Sequence, residues 1–532
     1  MQDKARKKNP PDIEQRRVVA VIDIGSGSIR LVIAEVGPGR KIRHLENLQQ
    51  QVPLGKDVFT SGRISTPTQR AAIAVLQDFT QVMEEYGLDS CHAIATAAVR
   101  EASNRDNFID QIFVRTGIDV EVIDGSEENR LEMIAVESAL DGHVDFRKES
   151  CLILEVGSGS TVLIFLNQGE VEATRTLSIG SIKLPGNAIV GQLDAKAQQR
   201  AIKRSVNESA DYIGRQNSLS AIKTFIAVGG EMRFLARQLD TDGGDGDDSL
   251  RRLKAEAVIS FVKDMGRLAP EEIADRYALG YDEAERLLPA LLYYRYFLRA
   301  TGATEILVPL VSIRDGILRE EAQILQGGEG TDVSRMVISS TKRLASKYAY
   351  DEPHALWVAT LAGRLFDKLR EDHGLGSRER LLLYVAAILH EIGMYISPSS
   401  RHKHSMYLIH ASDIFGLRRQ DKEIVANVAR YHRGAMPRST HVDYMSLSKQ
   451  DRARVAKLAA ILRVAIALDA QRAQRIREIE IDLGREPYEI WVPEDVGDIS
   501  MERDLLRRKA KMFADVFGVD IVLRQGAKKG SR

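Results

Sequence analysis

Cysteine is nearly absent. Cys91 and Cys151 are the only two in 532 residues, too few for a disulfide framework or a four-sulfur zinc site. Their scarcity points to a reducing compartment. Proline is sparse as well, at 14 residues, which excludes collagen-like and proline-rich linker classes. Neither sign of charge is in excess, because 75 Lys+Arg balance 75 Asp+Glu. No global basic field gathers nucleic acid, although a local patch can still take a polyanion. Long apolar runs are missing too: the richest stretch, residues 455–470, is broken by Lys457 and Arg463, well short of the roughly 18 apolar residues of a membrane span. The basic start, MQDKARKKNPPDIEQRR, has no apolar core, so no signal peptide is expected there. The expectation is a soluble, cytoplasmic protein. What remains, 44% apolar and 28% charged, is ordinary globular composition, and at roughly 150 residues per domain the length predicts three or four domains.

Residues 18–36, VVAVIDIGSGSIRLVIAEV, are two β-type runs around a glycine-serine turn. The unit recurs at residues 151–165, CLILEVGSGSTVLIF, with the same spacing from acid to first glycine: Asp23 to Gly25 and Glu155 to Gly157. Matching flanks around both turns predict an internal duplication and two related lobes. Between them PTQRAAIAVLQDFTQVMEEYG has helical period, CHAIATAAV and VEVID read as strands, and EENRLEMIAVESAL as a helix. The first 325 residues are thus α/β with a mixed sheet in each lobe. The acidic run DTDGGDGDDS at 240–249 fails calcium-loop spacing at Gly244 and reads as a solvated loop. QGGEGTDVS near Gly327 is a second break. Helical periodicity dominates from Val333 to about Arg477, and residues 478–532 form a short β-α-β-like tail.

Glycine turns after strands let backbone N–H groups approach an anion, since no Cβ intervenes. Gly25, Ser26, Gly27 and Ser28 form one such cradle, and Gly157, Ser158, Gly159, Ser160 and Thr161 a second. The segment AVGGEMR supplies a third through Gly229 and Gly230. Asp23, at a strand end, is placed to hold a divalent metal or a water. Two such turns facing each other would cradle a phosphate chain.

With these residues the chain resembles the exopolyphosphatase and guanosine pentaphosphate phosphohydrolase (Ppx/GppA) family, within the superfamily of actin, sugar kinases and chaperone ATPases. DIGSGSIRL resembles its first phosphate loop and EVGSGST its second. ATAAVREASN, VEVIDGSEENRL, AVGGEMRFLA, VPLVSIRDGIL and, further on, AAILHEIGMYIS, RHKHSMYLI and VARYHRG follow in the family's order. The resemblance spans about residues 18–470. It implies two actin-like (ribonuclease-H-like) lobes, residues 17–140 and 141–327, after a basic tail at 1–16. An all-α HD-like domain at 333–477 and a small α+β region at 478–532 would follow. It also implies hydrolytic release of terminal orthophosphate from inorganic polyphosphate. The alternatives are pppGpp 5'-phosphohydrolysis or a catalytically impaired polyphosphate- or nucleotide-binding regulator. Glu128, second acid of GSEENRL, matches the catalytic glutamate that orients water and accepts its proton. Arg100 matches the arginine beside the substrate phosphates. Asp23 and Glu155 are the implied ligands of Mg2+. A homodimer is a further family-like expectation; sequence-specific nucleic acid and membranes are not expected partners.

The pattern departs at four positions. Gly27 stands where the family usually has Asn, Glu155 where it has Asp, Ser158 where it has a third glycine, and Val162 where it has an acid. Glu155 moves its carboxylate by about 1.5 Å on standard bond lengths, a shift that can cost about a hundredfold in rate. Retained but altered hydrolysis is the expectation, with metal dependence least secure.

Eight of the 11 histidines lie between His354 and His441. His354, His390 with Glu391, and Asp469 are in the order of metal phosphohydrolases marked by a His-Asp pair. Here the pair is His-Glu, which argues for a degenerate centre. His402, His404, Arg430, His432 and Arg433 are expected to be cationic or nearly so and to guide a long polyanion without reading sequence.

Overall fold

The computed structural model describes residues 16–37, 42–146, 148–157, 159–177, parts of 197–211, 219–239, 249–325, 333–412, 414–484 and 486–526. All but Arg16 of the expected basic tail, Ser158, most of the acidic run at 240–249 and most of the break near Gly327 lie outside the described residues. The chain divides into two compact units, Met1–Glu329 and Gly330–Arg532.

The first unit holds two sheets of one plan. Strands β1 (Arg17–Ile24), β2 (Ser28–Val36), β3 (Ile42–Gln51), β4 (His92–Ala95) and β5 (Val120–Val122) are ordered 3-2-1-4-5. Strands β6 (Ser150–Val156), β7 (Thr161–Asn167), β8 (Glu170–Leu177), β9 (Thr224–Val228), β10 (Leu250–Lys254) and β11 (Glu305–Pro309) are ordered 10-11-9-6-7-8. In each, a hairpin and a third antiparallel strand flank the founding strand on one side, and two parallel strands extend from the other, followed in the second sheet by the antiparallel edge strand β10. The duplication inferred from the two GSGS units is therefore topological.

Along β1, alternate residues serve two cores, as the period-2 pleat demands. Ala20, Ile22 and Ile24 pack with Leu76, Phe79, Phe108 and Ile112 of the helices Thr66–Glu85 and Arg105–Thr116. Val19 and Val21 pack on the opposite face with Leu131, Ile317, Leu318 and Ala322. Ile317, Leu318 and Ala322 belong to the helix Ile313–Leu325, so this late helix completes the first lobe although the sequence places it at the end of the second. The second lobe is centred on the helix Tyr281–Ala300, whose Tyr293, Tyr294 and Phe297 are fully buried.

The predicted strand over residues 91–99 is only partly formed. Pairing stops at Ala95, and Thr96 O accepts Arg100 N–H at 2.9 Å as the chain turns into the helix Ala97–Glu101. Ala97 and Ala98 favour helix once sheet partners run out. The helix Gly125–Ala139 begins at Asp124, whose side chain accepts Glu127 N–H at 2.9 Å. Glu127 then takes two bonds of 2.7 Å from Arg130, which also reaches Glu320 at 2.8 Å. Arg130 is 3% exposed, so this ion pair is an internal strut that fixes the helix start.

The second unit is mainly helical, through Val333–Lys347, Glu352–Lys368, Ser377–Leu389, Arg401–His410, Arg419–Tyr431 and Lys449–Ala467. The charges that interrupt its richest apolar run both end on carbonyls: Arg463 on Tyr431 O at 2.7 Å and Lys457 on His373 O at 2.7 Å. A small sheet of β12 (Glu480–Asp482), β13 (Tyr488–Val492) and β14 (Ile521–Gln525) closes the unit with the helices Ser500–Lys509 and Lys511–Phe517. Among the described residues no helix is long and apolar enough to cross a membrane.

The helices Gly125–Ala139 and Ile313–Leu325 meet so closely at Gly316 that an added Cβ would lie 2.1 Å from Leu131 O. Gly316→Ala is expected to cost about 1–3 kcal/mol by overpacking, read as a lower urea midpoint for the first unit; an unchanged midpoint would refute the tight approach.

Candidate active site

The lobes of the first unit enclose a cleft of about 380 Å³. Both glycine-serine turns open onto it, each closed by the same bond: Gly25 N–H to Ser28 O at 3.0 Å and Gly157 N–H to Ser160 O at 2.8 Å. In the first turn, Ser26 O accepts from Gly55 and Gly27 O from Val52. With those carbonyls committed to the lobe's own backbone, the turn offers the cleft little to repel an anion. The third turn follows β9, where Gly229 adopts φ +120°, a left-handed conformation suited to glycine. Tyr294 ties the second and third turns together: its hydroxyl donates to Val228 O and accepts Val156 N–H at 2.9 Å.

Of the predicted phosphate-contacting residues, Gly25, Ser26, Gly27, Ser28, Gly157, Gly159, Ser160, Gly229 and Gly230 line the cleft. Thr161 does not. It is fully buried as the first residue of β7, which corrects the expectation that it faces phosphate. Gly27 shows what replaces the Asn of the resembling pattern: an added Cβ would lie 2.5 Å from Arg286 Nη1. The guanidinium occupies the space such a side chain would need and brings its own donors.

Glu128, in the first turn of the helix Gly125–Ala139, lines the cleft with its side chain 23% exposed. Burial, reinforced by the Glu155 carboxylate and opposed by Arg100, pushes it up to about 7. Arg100 is not among the residues that line the cleft; it donates to Ile123 O at 2.8 Å and touches Glu128 at 3.4 Å. Its visible contact is with the carboxylate rather than with the space phosphate would fill.

Asp23 lies opposite Arg30 in the β1–β2 register, with Arg30 Nη1 at 3.8 Å and the buried Arg314 Nη1 at 3.9 Å. In the second hairpin the equivalent pair is Glu155 and Val162. Val162 is buried, but Glu132 restores a carboxyl beside Glu155 from the helix instead of the strand. Burial and the neighbouring Glu155 raise Glu132 well above the usual carboxylate range, and it donates its proton in a hydrogen bond to Glu155. Glu155 is itself raised, chiefly by burial.

Glu132, Arg30, Glu231, Arg233 and Arg286 were not singled out from the sequence, yet all line the cleft. Two had a signal. Glu132 is four residues after Glu128 and so shares its helix face, and Arg30 is the cross-strand partner of Asp23 once the turn at Gly25–Ser28 is set. Arg233 Nη1 is held by Val311 O at 2.8 Å.

In the second unit, His432 is 1% exposed and its Nδ1 is bonded to Ala429 O, so it faces the interior rather than a polyanion-guiding surface. Burial holds His432 well below the usual histidine range. His402 falls to about 4 through burial and the surrounding Arg430, Arg433, Lys403 and Arg401. Neither is the cation expected. His404 lies on the helix Arg401–His410, and Arg430 and Arg433 flank the end of Arg419–Tyr431.

Among solved structures, an exopolyphosphatase from Cytophaga hutchinsonii is similar at 22% identity, with a TM-score of 0.51 over 59% of this chain and 99% of that one. An exopolyphosphatase-like protein matches at 24% identity and TM-score 0.51, again over 59% and 99%. At such identities the likeness is one of fold, the two actin-like lobes. The model described as "Ppx/GppA phosphatase family" matches residues 32–324. That described as "Ppx/GppA phosphatase, domain III" matches residues 337–507. Covering both lobes and the HD-like helical domain, these matches establish that the chain belongs to the Ppx/GppA phosphatase family.

Proposed function

We propose that this phosphatase releases terminal orthophosphate from inorganic polyphosphate, with water activated by Glu128. The observation that carries the reading is a carboxyl raised to about 7 in a cleft bounded by two equivalent glycine-serine turns. A general base works best with a pKa near the working pH. The turns and Gly229–Gly230 would hold the terminal phosphoryl group, and Arg30, Arg233 and Arg286 would neutralise its oxygens. Glu128 takes a proton from water as the water oxygen bonds to phosphorus and the P–O bond to the rest of the chain breaks. Arg100, in contact with Glu128, fixes its direction.

The donor chemistry fits Mg2+, which keeps several waters and asks for one or two carboxylates plus substrate oxygens. Among the described residues no three acids of the cleft bring their oxygens within 4.8 Å of one another, so the acids are no all-protein cage. Asp23 and Glu155, at equivalent strand ends, are the residues that would hold it. When bound, Mg2+ would offset charge on the phosphate oxygens.

Glu128→Gln is expected to lower kcat by about a hundredfold or more, as typical for a general base, with little change in KM. Wild-type turnover in that variant would eliminate the assignment. Because only the deprotonated carboxylate accepts a proton, and burial raises Glu128 to about 7, kcat/KM should climb as pH passes through that value. Glu155→Gln, removing a like charge, should move the climb to lower pH. A rate independent of pH across this range would argue against Glu128. Substrate class is read by phosphate release from long polyphosphate against pppGpp with and without Mg2+: faster release from polyphosphate is expected, and strong preference for pppGpp would overturn the choice.

A further inference from the structure

Four arginines among the described residues line the cleft, and they differ in what already holds them. Arg30 donates through Nε to Gln49 at 3.1 Å and stands 3.8 Å from Asp23. Arg233 donates through Nη1 to Val311 O at 2.8 Å. Arg286 is anchored through Nε, to Asp282 O at 2.9 Å on its own helix, which leaves Nη1 and Nη2 in the space beside Gly27. Arg237 is exposed and has no hydrogen bond or ion pair among the described residues. The cleft holds more guanidinium donors than its own groups use.

Their order along the cleft follows from the helix that carries two of them. Gly230 opens the helix Gly230–Leu239, and a Cβ added there would lie 3.9 Å from Arg233 Nη2, so Arg233 stands beside the third turn. Arg237, four residues on, shares that helix face about 6 Å further along the axis. It lies one helical turn beyond the group that holds the terminal phosphoryl. Asp23, Glu128, Glu132 and Glu155 are close enough to act on one another, and Glu231 acts on Arg233. None of these acids is paired with Arg237 or Arg286. Glu283 also lines the cleft but is exposed, where salt and water screen its charge. Phe234, Leu279 and Leu287 supply apolar wall, and walls of low dielectric focus the field of fixed cations.

We propose that Arg286 and Arg237 bind the phosphates behind the terminal one, Arg286 reaching the second and Arg237 holding the third, so that the cleft selects a run of at least three phosphates. The inference rests on the polyphosphate reading above and adds a specificity determinant to it. At about 380 Å³ the cleft falls in the range of sites that enclose drug-sized ligands, so one phosphoryl group does not fill it. Arg30 and Arg233 are committed at the reacting end, whereas the planar forks of Arg286 and Arg237 are free to take phosphate oxygens in pairs. Arg237 contributes by holding the chain and touches no reacting atom.

The test compares pyrophosphate, tripolyphosphate and long polyphosphate on the full-length protein at fixed Mg2+. Wild-type kcat/KM should step up at three phosphates. Arg237→Gln exchanges one good helix former for another on an exposed face, so the fold is not at stake. It should raise KM for tripolyphosphate and long polyphosphate about ten- to a hundredfold, the range of a lost charge-assisted bond, and should lose less on pyrophosphate, which ends short of it. The rise of KM with salt should become shallower, and Arg237→Lys should recover part of the loss. An equal loss on all three substrates, or wild-type KM for tripolyphosphate, would overturn the subsite. Calorimetric binding to Glu128→Gln separates this from hydrolysis: tripolyphosphate should bind more tightly than pyrophosphate, and adding Arg237→Gln should erase the difference. Such binding with no phosphate release by wild type would sink the hydrolytic reading and leave the subsite standing. Phosphate release with no preference for three phosphates over two would do the reverse.

Discussion

Carboxylates that would ignore one another in water cannot do so when Asp23, Glu128, Glu132 and Glu155 border one cleft between two lobes. Each departs from the others in how its charge is met. Asp23 faces two guanidiniums, those of Arg30 and Arg314. Glu132 keeps its proton and donates it to Glu155. Glu128 is left with Arg100 alone against burial and its acidic neighbours, and it settles near neutrality. Environment separates the roles of chemically similar groups. The altered second turn belongs to the same arrangement: with Val162 in place of an acid, the paired carboxyl comes from the helix that carries Glu128.

The architecture was legible where periodicity and glycine speak locally. The hairpins, the duplication and the helix that begins at Asp124 all follow from short segments. Strand β4 was overextended because the alanine-rich ATAAV carries no signal for where its sheet partners end. Glu128 was legible through motif resemblance, and burial, which sets its acidity, was not. Arg286 could not be found locally, since it reaches Gly27 from a helix more than two hundred residues away. Thr161 shows the opposite error, as its place beside a glycine turn suggested exposure while the strand pleat turned it inward.

In the helical unit, composition misled in one instructive way. Histidines beside arginines suggested a cationic surface, but the same arginines and burial discourage protonation of His402. Arg463 and Lys457, which interrupt the richest apolar run, end on the carbonyls of Tyr431 and His373. Long side chains spend their charge where helix termini leave acceptors exposed.

The helix Ile313–Leu325 seals the outer face of the first sheet, although it is synthesised after the whole second lobe. The chain therefore passes between the lobes twice, once after Leu140 and again after Pro309. The first lobe is discontinuous in sequence, and a fragment ending near Leu140 would emerge with Val19, Val21 and Ile123 covered only by the helix that carries Leu131. During synthesis that apolar face must wait for some 170 further residues before the rest of its cover arrives, a delay that makes it a natural client surface for folding assistance.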